Sequence, residues 1–226
     1  GMRFDLTLPL ARFYAKSRAE LPRPFKVFHI GSVWRADRPQ KGRFREFTQC
    51  DVDIIASQEI GAEFDCISAI LDVFAFFEIH DVEVHLNDRR LLTAMGKSLQ
   101  IEDAIWAEVL VILDKLDKIG MDGVKTELAK KLSAAQLSGM MNLITGEAKL
   151  ERYNGIDAES AESLGALIKL LSSTASSIAG AKKIFNPTLV RGQDYYTGTI
   201  FEIRHPLLAG SLAGGGRYNR LLEIFG

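Results

Sequence analysis

A chain of 226 residues that is 47 per cent hydrophobic and 25 per cent charged can bury one substantial core or two modest ones, which excludes a disordered polymer. A formal net charge of −1 excludes nucleic-acid binding by bulk basicity, so any such contact has to be local. The longest apolar runs, ISAILDVFAFF and VLVIL, fall far short of the roughly 20 residues that cross a bilayer.

No basic segment followed by an apolar stretch opens the chain, so no secretory signal is expected. Only Cys50 and Cys66 occur, without metal or disulfide spacing, and Asn186-Pro187-Thr188 carries the proline that blocks glycosylation. Both observations fit a reducing cytoplasm, with no membrane partner.

In chain order, RFDLTLPLARFYAK reads as a short strand followed by a helix that Pro9 opens. FKVFHIGSVWRAD, from Phe25, and EFTQCDVDIIAS both alternate with period two, which predicts two antiparallel strands joined by an eight-residue loop. EIGAEFDCISAILDVFAFFEI places Ile60, Phe64, Ile67, Leu71 and Phe74 on one stripe, which predicts a helix lying across the sheet, and VEVHL is another strand. For about ninety residues the pattern is then amphipathic helix. EDAIWAEVLVILDKLDKIG is one such helix, with Gly120 as its stop, and LLSSTASSIAGAKK reads as a return linker. Strands resume with IFNPTLV, YYTGTIFEIRH and GSLAGGGRYNRLLEIFG.

The predicted fold is therefore α+β, an antiparallel sheet flanked by helices with an all-helical insertion. Residues 1–90 form the first part of the core, 91–180 the insertion and 181–226 the second part. The sheet residues on either side of the insertion are too few to stand alone, so they are expected to pair in one antiparallel sheet.

Arg35, Arg38, Lys41, Arg43 and Arg45 crowd around Pro39 and Gly42 at the hairpin tip. Like charges a few ångströms apart repel by about 1–4 kcal/mol at surface dielectrics, so the cluster favours a bound anion. A polyphosphate suits the fork of arginine. Arg35, beside Trp34, is placed within the strand and the others on the loop. A solvated tip that discourages edge pairing is the competing reading. The second strand decides between them, because Phe47, Gln49, Asp51 and Asp53 share one face by the period-two rule. A sheet face turned to the core does not normally carry acids; an open binding face does.

VWRAD…GRFREFTQCDVDI resembles motif 2 of the class II aminoacyl-tRNA synthetases, in detail that of the histidine-tRNA ligases. RFDLTLPLARFYA is similar to that family's first amino-acid-binding block, and LVRGQDYYTGTIFE, followed by AGGGRY, to its signature histidine loop. VHLNDRRLL and LDKLDKIG also resemble the family, so the likeness covers nearly the whole chain. It implies a class II-like catalytic core that joins histidine to ATP, releases pyrophosphate and transfers the histidyl group to the acceptor end of tRNA(His).

Carried over residue by residue, the resemblance assigns Arg35 and Arg191 to the α-phosphate, Arg191 standing where other class II enzymes use a metal. It assigns Arg43 to the outer phosphates, Phe47 to adenine stacking and Asp37 to the acidic position near the nucleotide, which is often glutamate in the family. ATP comes with Mg2+. Asp5, Thr7 and Gln49 are assigned to the α-amino end of histidine, Asp53 and Tyr196 to the imidazole, and Tyr195 and Tyr218 to the same pocket. Asp194 is read as a buttress for Arg191. His29, His80, His85 and His205 show no ligand spacing and are read as structural. Two readings stay open for Gly214 to Gly216: a simple turn, or close approach of backbone to a ligand.

The family carries a dimer-forming helix and strand upstream of this stretch. Downstream it carries an ATP-clamping segment and an anticodon domain. The expectation is a catalytic core without them, homodimeric in its full-length parent, with weakened ATP binding. Two other functions compete: a non-catalytic regulatory subunit of ATP phosphoribosyltransferase, which resembles this enzyme, and a purely structural role.

Overall fold

The computed structural model describes residues 1–39, 44–145, 149–173, 180–191, 195–208 and 210–225. The chain forms two compact units, Gly1–Ala69 with Asn219–Gly226 and Ile70–Tyr218. Among the described residues no helix is long and apolar enough to cross a membrane.

In the first unit, helix α1 (Thr7–Ser17) leads into strands β1 (Phe25–Trp34) and β2 (Glu46–Ile55). The expected strand before α1 is absent: Arg3 gives a single carbonyl to the Trp34 amide at 2.9 Å, too little for a ladder. Pro9 is the third residue of α1, where the amide it lacks has no partner within the helix. β1 and β2 pair antiparallel from Phe25 opposite Ile55 to Trp34 opposite Glu46. One further bond, Arg35 N–H to the Arg45 carbonyl at 2.8 Å, closes the ladder. Arg35 thus sits one residue past the end of β1 but is still held by the pairing.

Burial alternates along both strands. Phe47, Gln49 and Asp51 are half-buried, Asp53 is buried, and the intervening Thr48 and Cys50 are exposed. Tyr14 and Leu10 of α1 pack on Ile55, with Phe25, Val27 and Leu222 around them. Leu222 lies in a short 3-10 turn, Leu221–Phe225.

Helix α2 (Gly61–Phe76) begins in this unit, buries Ile67 and Leu71 from the expected stripe, and reaches β2 through Cys66 Sγ, which donates to the Val52 carbonyl at 3.9 Å.

The second unit contains β3 (Glu83–Asp88), then α3 (Arg89–Ser98), α4 (Asp103–Leu113), α5 (Leu116–Leu128), α6 (Ala134–Ile144) and α7 (Ala158–Ser173). It closes with β4 (Lys182–Phe185), β5 (Thr199–Arg204) and β6 (Ser211–Gly216). The single long helix expected up to Gly120 is broken. α4 ends at Leu113, and Gly120 takes φ +69° inside α5, a left-handed conformation open to glycine, after which the helix resumes. Part of the expected return linker, residues 174–179, lies outside the described residues.

β3 pairs antiparallel with β5 across the helical segment, as the sequence implied, and β5 pairs with β6. The single antiparallel sheet expected from the sequence is not what forms: the larger sheet has the order β4-β3-β5-β6 with β4 parallel to β3, and β1 and β2 form a two-stranded sheet of their own. One face of the larger sheet is apolar, with Val84, Leu86, Phe201 and Ile203 buried; α7, whose Leu164, Leu167 and Leu171 are buried, packs against β3 and β4. The other face carries Glu83, His85, Glu202 and Arg204, which are cross-strand neighbours.

Glycine is required at the end of β6. A Cβ on Gly216 would lie 2.7 Å from the Thr199 carbonyl oxygen and 2.8 Å from Tyr196 Cδ1. Backbone cannot yield as a flexible side chain does, so Gly216→Ala is expected to destabilise the fold by about 1–3 kcal/mol in urea unfolding. An unchanged midpoint would contradict this packing.

Candidate active site

The cluster on the hairpin is ordered by charge. At the open end Arg35 lies between two aromatic rings, its Cζ 4.7 Å from the Phe4 centroid and 5.0 Å from that of Phe47. Such contacts hold a guanidinium without neutralising it. Arg35 Nη2 also donates to Gln49 Oε1 at 3.4 Å, and Gln49 Nε2 donates to both oxygens of Asp51 at 2.9 and 2.8 Å. Further along, His29 Nε2 lies 3.3 Å from Asp53 Oδ2.

Burial pushes the Asp51 carboxyl above its usual range; Asp53 and Asp5 add to the shift, against the hydrogen bond from Gln49 and the charge of His29. One face of β2 therefore runs from cation to amide to a cluster of carboxylates. With two residues per repeat at about 3.3 Å each, Phe47 to Asp53 spans about 20 Å.

Asp5 is half-buried, and its Oδ1 accepts the Leu8 amide at 3.2 Å in the first turn of α1; Thr7 is the half-buried first residue of that helix. Asp37 is half-buried, and its carbonyl accepts from Arg45 Nε at 3.3 Å. His29, Asp51 and Asp53 offer donor atoms within 4.8 Å of one another. Gln49 already occupies both oxygens of Asp51 and His29 is paired with Asp53, so the group suits an ammonium or a ring N–H better than a metal ion. A thiolate nucleophile is not available at Cys66: burial, then Asp53, Glu63 and Asp65, push its thiol up to about 12.

A separate cluster of the expected residues lies in the other unit, on the polar face of the larger sheet. Arg191, at φ +57°, donates from Nη1 to Glu202 Oε1 at 2.9 Å. It crosses β6 at Gly214, where a Cβ would come 2.8 Å from Arg191 Cζ. Tyr196, buried, lies on Gly216 in the same way. Gly215 faces the opposite side, against the Phe201 ring. The run of glycines lies in strand β6 and not in a turn, and it admits an arginine, a phenylalanine ring and a tyrosine of the chain itself in alternation. Tyr195 packs on Tyr196 with centroids 4.8 Å apart and edge-on to Tyr218 at 5.9 Å.

The structure thus gathers Asp5, Arg35, Phe47, Gln49 and Asp53 in one unit and Arg191, Tyr195, Tyr196 and Tyr218 in the other. Arg43 and Asp194 lie outside the described residues.

Sequence reasoning passed over several supporting residues. Arg3 lies across Gly31, opposite Gln49, and its Nε donates to the Ser32 carbonyl at 2.8 Å, adding a cation beside that face of the hairpin. His29 does more than fill the core, because it joins the carboxylate cluster. Asn87 Nδ2 donates to the Leu189 carbonyl at 2.9 Å and Arg89 N–H to the Gly198 carbonyl at 2.9 Å, fixing both ends of the segment that carries Arg191 and the tyrosine pair. The NDR run at the junction of β3 and α3 was the available signal.

A sequence model described as histidyl-tRNA synthetase matches residues 1–226. The histidine–tRNA ligase of Leifsonia xyli is 40% identical over 239 residues, covering 100% of this chain and 55% of that protein. The crystal structure of histidyl-tRNA synthetase from Nostoc superposes with a TM-score of 0.85 at 27% identity, over 99% of this chain and 54% of the other. A structure described as an ATP phosphoribosyltransferase regulatory subunit/histidyl-tRNA synthetase, from Bacillus halodurans, shares the fold with a TM-score of 0.82 at 24% identity, over 99% of this chain and 59% of that one. The chain thus spans about half the length of the curated relative it matches. With its class II-like α+β architecture, its arginine-tipped hairpin and its glycine-backed tyrosine segment, the chain belongs to the histidyl-tRNA synthetase family.

Proposed function

We propose that the protein carrying this chain activates histidine with ATP, taken as its Mg2+ complex, and passes the histidyl group to the acceptor end of tRNA(His). The observation that carries this reading is the charge order along β2, from the Arg35 guanidinium through Gln49 to the Asp51 and Asp53 carboxylates. An extended ligand with phosphate at one end, an ammonium in the middle and a ring N–H at the other complements that order.

In the first step a histidine carboxylate oxygen bonds to the α-phosphorus while the bond to the pyrophosphate oxygen breaks. Negative charge grows on the non-bridging oxygens, where fixed cations act most strongly. Arg35 and Arg191 take that role, Arg43 the outer phosphates, and Phe47 and Asp37 the nucleoside. Asp5, Thr7 and Gln49 receive the α-ammonium. Asp53 and Tyr196 receive the imidazole, beside Tyr195 and Tyr218. A buried carboxylate or phenol left without its partner is penalised by about 1–3 kcal/mol, which rejects analogues lacking the ring nitrogens. A cytoplasmic homodimer, with the helical segment near the tRNA acceptor region, completes the proposal.

Pyrophosphate exchange that requires both histidine and ATP is the test, with calorimetric titration of histidine beside it. Exchange supports the reading. Histidine binding without exchange would instead favour a regulatory subunit, against which the retained Arg35, Gln49, Asp53, Arg191 and Tyr195–Tyr196 weigh. Neither binding nor exchange would leave only a structural role.

A further inference from the structure

Glu202 sits at the middle of β5, opposite Gly214 on β6 and His85 on β3. Its two oxygens are divided between two arginines. Oε1 accepts from Arg191 Nη1 at 2.9 Å, and Oε2 accepts from Arg204 Nε and Nη2 at 2.9 and 2.8 Å. Arg204 reaches on to Asp117 of α5, with Nη1 at 3.3 Å from Oδ1 and Nη2 at 3.2 Å from Oδ2. The inner side chains are sheltered, Arg191 at 18% and Glu202 at 16% exposure, while Asp117 is 69% exposed. His85 does not compete for Glu202, since its ring nitrogens face Glu83 Oε2 at 3.2 Å and Asn186 Nδ2 at 3.3 Å.

We infer that Glu202 is a positioning residue that sets the direction of the Arg191 guanidinium, and that Arg204 and Asp117 fix Glu202 in turn, so that α5 of the helical segment bears on the orientation of Arg191. The inference rests on the reading that Arg191 serves the α-phosphate.

Three features support it. A planar guanidinium anchored through one terminal nitrogen presents its other N–H donors in a set direction. Two donors of Arg204 converge on Oε2, which occupies that oxygen and leaves Oε1 for Arg191. Arg191 also has a left-handed backbone that a non-glycine residue keeps only when its surroundings impose it. With Gly214 removing the steric bar beneath it, the Glu202 ion pair is, among the described residues, the contact that aims this side chain. The charges alternate along the row, so Glu202 and Asp117 offset the repulsion between the two arginines while leaving Arg191 a cation for a phosphate.

The test is a double-mutant cycle in the protein carrying this chain, reading kcat of histidine-dependent pyrophosphate exchange and the dissociation constant of histidine for Arg191→Ala, Glu202→Gln and the double variant. The expected result is a loss of about tenfold or more in kcat for Glu202→Gln, the lower range for a misplaced transition-state donor. Histidine affinity should stay within about threefold, and the double variant within about twofold of Arg191→Ala, because coupled residues do not add. A parental kcat for Glu202→Gln, or losses that multiply in the double variant, would overturn the inference.

If Arg191→Ala itself exchanges at the parental rate, the phosphate reading fails instead, whatever Glu202 does. Should Glu202→Gln not fold, Asp117→Asn takes its place in the same cycle. It alters an exposed carboxylate and is expected to lower kcat by about two- to fivefold, again without adding to Arg191→Ala. Parental turnover there would equally overturn the proposal.

Discussion

Arg191→Ala is expected to lower histidine-dependent pyrophosphate exchange by about 10² to 10³, the usual range for a lost transition-state donor, while histidine affinity changes far less. The surroundings of Arg191 make the effect readable. Its ion-pair partner Glu202 keeps two hydrogen bonds from Arg204 when Arg191 is removed, so no carboxylate is left buried without a cation. The fold should therefore tolerate the change, and the loss should fall on kcat. Exchange at the parental rate would remove Arg191 from the chemical step.

Asp53→Ala is expected to weaken histidine binding by about 10- to 10²-fold, the consequence of losing a hydrogen bond to a charged partner worth about 1.5–3 kcal/mol. Asp53 is 7% exposed and sits at the anionic end of the β2 face, where its carboxylate also engages His29. Its removal has a second effect: Asp53 is one cause of the raised Asp51 carboxyl, which then falls back toward its ordinary range. Asp53→Asn keeps an acceptor for His29 but not the charge, so it separates support of His29 from attraction of the ligand. Calorimetric titration of histidine against both variants is the check. Unchanged affinity in both would place Asp53 outside the pocket.

The hairpin was legible because its two strands each bury one face, and period two then sorts Phe47, Gln49, Asp51 and Asp53 from their neighbours without knowledge of any partner. Register was not legible, since nothing local in the tip fixes which residues of the two strands lie opposite. His29 therefore looked isolated, although pairing His29 with Asp51 puts it among the acids. The break between α4 and α5, at Asp114 and Lys115, was hidden for a related reason: the apolar stripe continues through it and neither glycine nor proline marks it, Gly120 lying inside α5.

Arg191 shows the limit most plainly. Its string identified it, but its left-handed backbone, its glycine bed and its bond to Glu202 depend on strands brought together from 83–88, 199–204 and 211–216. Arg3 escaped notice because it lies in an irregular segment and acts through Gly31, a position where a missing side chain is the signal.

The most direct measurement is a crystal structure of the protein carrying this chain with a histidyl sulfamoyl-adenosine, whose sulfonyl group stands in for the α-phosphate. The account predicts the guanidinium groups of Arg35 and Arg191 both within about 3 Å of the sulfonyl oxygens, with the imidazole at Asp53. A complex in which either arginine keeps only its protein partners and makes no contact with the sulfonyl group would contradict it.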